Sequence, residues 1–191
     1  MRWRRFGAAR LRAPERNETE RLVLRRPALR DAEAVFERFA SDAEVTRYLS
    51  WRRHGSVADT RAFLALATAQ WAQSPAGPYL IEARDSHLLI GSTGFACESG
   101  AVAEVGYVLA RDSWGLGYAT EALCALIAAA PGIGLSRVYA ICHTAHSASA
   151  RVLEKGGLTP EGVLRRHAEF PNLAPGELLD VLCYGRDFSA T

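Results

Sequence analysis

The stretch Glu104-Val105-Gly106-Tyr107-Val108-Leu109-Ala110-Arg111-Asp112-Ser113-Trp114-Gly115-Leu116-Gly117-Tyr118-Ala119-Thr120-Glu121-Ala122 runs from an apolar strand, through a glycine-bearing turn, into a helix. Gly115 and Gly117 admit positive φ and a close approach to the backbone. The first N–H groups of a helix lack intrahelical acceptors and carry partial positive charge, which suits a diphosphate. Ala119 keeps the first helical turn small beside such a ligand. A Walker A loop needs Gly-Lys-Ser/Thr, but Lys155 is the only lysine in the chain. A dinucleotide fingerprint wants a third glycine where Thr120 stands, and it opens a βαβ run instead of following several strands. ATP and NAD therefore fit poorly. A phosphate-bearing ligand that threads between strands fits better.

The flanking sequence supplies the rest of the fold. Upstream, Arg21–Arg26 alternates as a first strand stopped by Pro27, and 30–40 places Ala32, Val35, Phe36 and Phe39 on one helical face. Ser56-Val57-Ala58-Asp59 resembles a capping box opening a helix with the stripe Phe63, Leu64, Ala67 and Trp71, closed by Pro75 to Pro78. Strands follow at 79–84, 88–95 and 102–109, turned at 85–87 and at Glu98-Ser99-Gly100. Downstream come a helix over 117–130, a strand over 137–142, a helix over 147–155 ending at Gly156-Gly157, and strands near 161–167 and 178–187. This order predicts a mixed α/β sheet covered by helices in one domain.

Composition agrees. The chain has 191 residues, 49% apolar and 23% charged, enough for one continuous core. No apolar run approaches the roughly 20 residues of a membrane-spanning helix. Cys97, Cys124, Cys142 and Cys183 form no CxxC pair and no zinc spacing, so they read as small buried hydrophobes in a reducing cytoplasm. His143 and His146 flank no recognised metal arrangement, and no metal is expected. Residues 1–30 hold ten arginines against three glutamates, a net of +7, so residues 31–191 carry −5 of the total +2. Residues 1–19 read as a basic, solvated and partly disordered arm. Nucleic-acid binding through it has no supporting motif. The acidic body favours a cationic substrate.

The strings AEVGYVL and SWGLGYATEAL resemble the acyl-CoA-binding core of the GCN5-related N-acetyltransferases. RLVLRR, SDAEVTRYLSW and HSASARVLEKGGL make the chain similar to the branch that acetylates ribosomal-protein N-termini. The likeness spans about residues 20–188. It implies a single acetyltransferase domain over 20–191, with a central, mostly antiparallel mixed sheet of about seven strands flanked by helices. That sheet is splayed between its fourth and fifth strands (102–109 and 137–142). Acetyl-CoA is the implied cosubstrate, with the diphosphate held by Trp114, Gly115, Leu116, Gly117, Tyr118, Ala119 and Thr120. Trp114 replaces the Gln or Arg of the family. The pantetheine arm is implied to pair with exposed amides near Val108 and Ala110, among Tyr107, Val108, Leu109 and Ala110. His146 stands where the family has a pantetheine-gripping Asn. Leu153 stands where many members have a tyrosine acid, and in the ribosomal branch the serine matching Ser149 is thought to take that role.

Chemistry supplies the remaining expectations. A protonated amine has no lone pair, so transfer needs a base. Glu104, just before the turn, is the first candidate, with Glu98, Glu121, Asp180 and His143 in reserve. No cysteine lies in an electropositive setting, which favours direct attack over an acyl-enzyme. The expected acceptor is a protein or peptide N-terminal α-amine. A small amine (polyamine, aminoglycoside or amino-acid derivative) is the alternative within the class, and a non-catalytic acyl-CoA-binding regulatory module the alternative outside it. The resemblance is compatible with a monomer or a homodimer.

Overall fold

The computed structural model describes residues 12–73, 76–99 and 101–188. Residues 1–11 of the basic arm, Pro75 and Gly100 lie outside them, as does the side chain of Glu98. Among the described residues eight strands form one sheet in the order β1-β2-β3-β4-β5-β6-β8-β7. These are β1 (Arg16–Glu18), β2 (Leu22–Arg25), β3 (Pro78–Ala83), β4 (Leu89–Ser99), β5 (Val102–Leu109), β6 (Arg137–His143), β7 (Thr159–Glu169) and β8 (Leu178–Asp187). All neighbours run antiparallel except β5 and β6. The strand beyond the expected seven is β1, from within the arm. It pairs with β2, Pro14 accepts the Tyr79 hydroxyl, and Arg12 donates to the carbonyls of Trp71 and Ala72.

Helices cover both faces. The expected helix over 30–40 is instead a 3₁₀ turn (Leu29–Asp31), a short α1 (Ala32–Val35) and a π turn (Phe36–Ala40). The π turn ends where Ser41 gives both its N–H and its hydroxyl to the Phe36 carbonyl. A further helix, α2 (Ala43–Thr46), is capped by the Asp42 carboxylate, which accepts from the amides of Glu44 and Val45. The capping box expected at Ser56 is present: Asp59 accepts from the Ser56 amide, and Ser56 Oγ accepts from the Asp59 amide, at the start of α3 (Val57–Gln73).

One apolar cluster joins α1 and α3 to one face of the sheet through Val35, Phe39, Leu64 and Leu80. The larger core lies on the other face, where α4 (Tyr118–Ala129) and α5 (Ser147–Lys155) bury Leu123, Leu126 and Leu153 against Val105, Val138 and Ile81. Side chains alternate along β5. Ala103, Val105, Tyr107 and Leu109 belong with the α4/α5 core, so Glu104, Gly106 and Val108 face the α1/α3 side, where Val108 packs.

Candidate active site

The sheet opens in its middle. β5 stays paired with β4 as far as Gly91↔Leu109, but its parallel pairing with β6 covers just Val102↔Arg137, Ala103↔Val138 and Glu104↔Tyr139. Beyond Glu104 the two strands diverge, as the expected splay requires. The register determines which backbone groups face the opening. The Ala110 N–H donates to the Ile90 carbonyl at 2.8 Å. Antiparallel bonds alternate, so the amides of Val108 and Gly106 also point to β4. The expectation of free amides near Val108 and Ala110 is therefore corrected by one residue: the N–H groups of Tyr107 and Leu109 face the opening. Ala110 is fully buried and serves the sheet.

The turn after β5 is built as the glycines foretold. Gly115 and Gly117 have φ of 75° and 83°. A Cβ on Gly115 would meet nothing, so its constraint is backbone conformation and not crowding. Gly117 caps α4, and the first intrahelical bond runs from Glu121 N–H to the Gly117 carbonyl at 3.1 Å. The amides of Tyr118, Ala119 and Thr120 precede that bond and have no acceptor within the helix. Arg21 clasps the turn from outside: it donates to the Leu116 carbonyl at 3.0 Å and to Glu121 at 2.7 Å, and lies 4.7 Å from the Tyr118 ring centroid. Burial pushes the Glu121 carboxyl up, but hydrogen bonds from the Thr19 hydroxyl and from the Arg21 amide and guanidinium outweigh it and hold it below its ordinary range. Glu121 is thereby consumed in structure, and so is Asp180, which accepts from the Arg165 side chain and the Arg166 amide. Neither reserve base is available.

Trp114 is half exposed, and its indole N–H donates to the Leu109 carbonyl at 2.9 Å. The residue that departs from Gln/Arg thus closes the end of the strand instead of reaching outward. Two charged clamps fix the 3₁₀ turn Arg111–Ser113 between Leu109 and Trp114. Arg38 grips Asp112 through two bonds of 2.8 and 2.7 Å, and Arg111 reaches Asp42 at 2.6 Å. The second clamp ties the turn after β5 to the cap of α2.

A cavity of about 440 Å³ lies between this turn, the opened edge of β5 and α5. Of the expected cofactor residues, Tyr107, Val108, Leu109, Trp114, Gly115, Gly117, Tyr118, Ala119 and Thr120 line it, as do His146 and Ser149. Ala110 and Leu116 do not. At its floor the Tyr107 hydroxyl lies 2.8 Å from Ser149 Oγ and 3.1 Å from the Ser149 carbonyl. Burial raises the Tyr107 phenol well above its ordinary range, so it stays protonated. Leu153 is buried in the core, one turn beyond Ser149 on α5.

Glu104 does not line the cavity. It stands at the last paired position before the opening, on the α1/α3 face, where its charge is felt at the Cys183 thiol of β8. Base candidate and serine thus lie on opposite faces of the sheet, on either side of the opening.

His146 makes no cap for α5. Its ring stacks on Tyr48 at 4.6 Å, while His143 stacks on Tyr48 at 5.2 Å and meets the edge of Phe170. Burial, followed by the neighbouring His143, lowers the His146 pKa, keeping it neutral at neutral pH. His143 accepts the Ala145 amide. Sequence reasoning missed Tyr48 and Asn172. Asn172, in the β7–β8 loop, donates to the carbonyls of Thr46 and Trp51 and accepts from the Arg53 amide, each at 2.8 Å. Those bonds pin the segment after α2 as the outer wall. Tyr48 lies within the string SDAEVTRYLSW, which carries no site role by itself, and only a solitary polar side chain in a loop hinted at Asn172.

The acetyltransferase (GNAT) domain family matches residues 21–159. The chain belongs to this family. As a GNAT acetyltransferase it is 35% identical over 153 residues to the uncharacterized N-acetyltransferase YoaA of Bacillus subtilis, covering 78% of this chain and 86% of that protein. The fold is similar to a GNAT-family acetyltransferase from Bacillus anthracis, with a TM-score of 0.78, 26% identity, and 90% and 98% of the two chains covered. It also resembles RimL, a ribosomal alpha-N-protein acetyltransferase in complex with coenzyme A, with a TM-score of 0.78, 22% identity, and 88% and 95% coverage. Among the described residues no helix is long and apolar enough to cross a membrane.

Proposed function

We propose that this acetyltransferase moves the acetyl group of acetyl-CoA to a protein or peptide N-terminal α-amine by direct attack in a ternary complex. The observation that carries the reading is the end of β5–β6 pairing at Glu104 beside the helix N-terminus at Gly117, both opening on one cavity. Amides 115–120 are suited to the diphosphate, and the N–H groups of Tyr107 and Leu109 to the pantetheine arm, which would stand in for the missing strand. The Gly115 conformation and the unfilled space above it fit a backbone cradle for an anion.

The opening separates the two proton tasks. On the α1/α3 face Glu104 takes the proton of the incoming ammonium, directly or through water. The amine nitrogen then attacks the thioester carbonyl, the C–S bond breaks, and the electron pair leaves with sulfur. On the α4/α5 face Ser149, backed by Tyr107, donates to the departing thiolate, and the second proton shed by the former amine nitrogen returns to that pair through water, leaving a neutral amide and a free thiol. An α-amine suits this arrangement. Its pKa near 8 leaves roughly a tenth neutral at pH 7, whereas a lysine amine is neutral in fewer than about one molecule in a thousand. The likeness to RimL supports a peptide terminus.

The test is incubation with acetyl-CoA and a panel of peptides and small amines, following free thiol release and the acetylated product by mass spectrometry. Acetylation at peptide N-termini is expected. Acetylation of small amines alone would move the acceptor to that class, and binding without thiol release would make the protein a non-catalytic acyl-CoA module.

A further inference from the structure

We infer that Arg151 and Lys155, one turn apart on α5, bind the ribose 3′-phosphate of the cosubstrate and make the enzyme select CoA over its 3′-dephosphorylated form. The inference rests on the acetyl-CoA reading above. Both side chains are exposed, both border the cavity, and among the described residues neither is in an ion pair. That sets them apart from the cations around the diphosphate turn, which are committed: Arg21 to Glu121, Arg38 to Asp112 and Arg111 to Asp42. Arg47, which also borders the cavity, is engaged over the Tyr48 ring, 5.4 Å from its centroid.

Coenzyme A carries two kinds of anion. The diphosphate is served by helix amides, and Trp114 brings no cation to that turn. The phosphomonoester holds nearly two charges at neutral pH and has no helix N-terminus of its own. Residues four apart on a helix stand on one face, so two cations at that spacing present paired donors to a single phosphate. They follow Ser149 along the same helix and border the same cavity, so the reacting end and the phosphate end are ordered along α5. Two unpaired cations facing a cavity wall also attract a polyanion from a distance, which makes the contribution salt-dependent.

Isothermal titration with coenzyme A and with 3′-dephospho-CoA tests this on the full chain, comparing the unsubstituted protein with Arg151→Gln/Lys155→Gln. The unsubstituted protein is expected to prefer CoA by about tenfold or more, and the double variant to lose most of that preference while holding dephospho-CoA within about twofold. Lys155 is the only lysine, which gives a second readout independent of any variant. Reductive methylation mapped by mass spectrometry should show Lys155 protected by CoA and not by dephospho-CoA. Equal affinity of the unsubstituted protein for the two ligands, or equal loss of both in the variant, overturns the assignment and leaves the cofactor reading intact. Uptake of neither ligand overturns the cofactor reading itself.

Discussion

The hydroxyl of Tyr107 lies 2.8 Å from the Oγ of Ser149, so a buried phenol on β5 and a helix serine form one hydrogen-bonded unit across the floor of the cavity. Tyr107 stays protonated because burial raises its pKa, and its proton is available to Ser149 when Ser149 gives its own to a leaving thiolate. Ser149→Ala should lower kcat about 10- to 100-fold with little change in KM for acetyl-CoA. Tyr107→Phe should have a smaller effect of the same kind, about threefold to tenfold. Steady-state kinetics with thiol detection measures both. A rise in KM with kcat unchanged would make Ser149 a binding residue only.

Glu104 occupies the last position of β5 paired with β6, on the face away from Ser149. Glu104→Gln should lower the rate at neutral pH and leave acetyl-CoA affinity within about twofold, because Glu104 does not line the cavity proposed for the cosubstrate. The acidic limb of the pH–rate profile should disappear in the variant. An unchanged profile would discard Glu104 as the base.

The turn at Gly117 has a different vulnerability. With φ of 83° it sits in the left-handed region, so Gly117→Ala should cost about 1–2 kcal/mol of stability and lower Tm by several degrees. It should also weaken CoA binding by about tenfold, as the amides of 118–120 shift. Thermal melts and calorimetry read the two effects separately.

Glu121 makes the same turn sensitive to acid. Its folded pKa is depressed below the unfolded value, once the Thr19 and Arg21 bonds overcome the upward push of burial. The stability it contributes is therefore present above the ordinary carboxylate pKa of about 4.3 and lost as pH falls through the lower folded value. Glu121→Gln should lower Tm at pH 7 and converge with the unsubstituted protein on the acid side of that window. Parallel melting curves at all pH values would contradict it.

Asn172 ties the β7–β8 loop to the segment after α2 with all three of its bonds. Asn172→Ala should raise KM for the amine acceptor several-fold and leave KM for acetyl-CoA unchanged, since the pinned segment forms the outer wall. Equal changes in both constants would show that the bond supports the whole cavity.

Much of this architecture was legible in the sequence because it is carried by local signals. Alternating apolar residues marked β5, two glycines marked the cup, and Ser56 with Asp59 marked the start of α3. Long-range relationships were not legible. The short strand Arg16–Glu18 has no apolar alternation, and its place depends on β2 as a partner. The π turn at Phe36–Ala40 keeps a helical apolar spacing, so periodicity could not distinguish it. The choice of Tyr107 and Leu109 over Val108 and Ala110 as the residues facing the opening depends on a single-residue register against β4, which strand patterning alone leaves undetermined. Asn172 and Tyr48 reach the site from loops more than a hundred residues apart.

A crystal of the protein grown with acetyl-CoA gives the most direct measurement of the central relationship. The diphosphate should lie on the backbone N–H groups between Gly115 and Thr120, with the pantetheine amides paired to Tyr107 and Leu109 and the thioester sulfur within hydrogen-bond reach of Ser149 Oγ. A diphosphate bound elsewhere, or a pantetheine arm that leaves the opened edge of β5 bare, would contradict it.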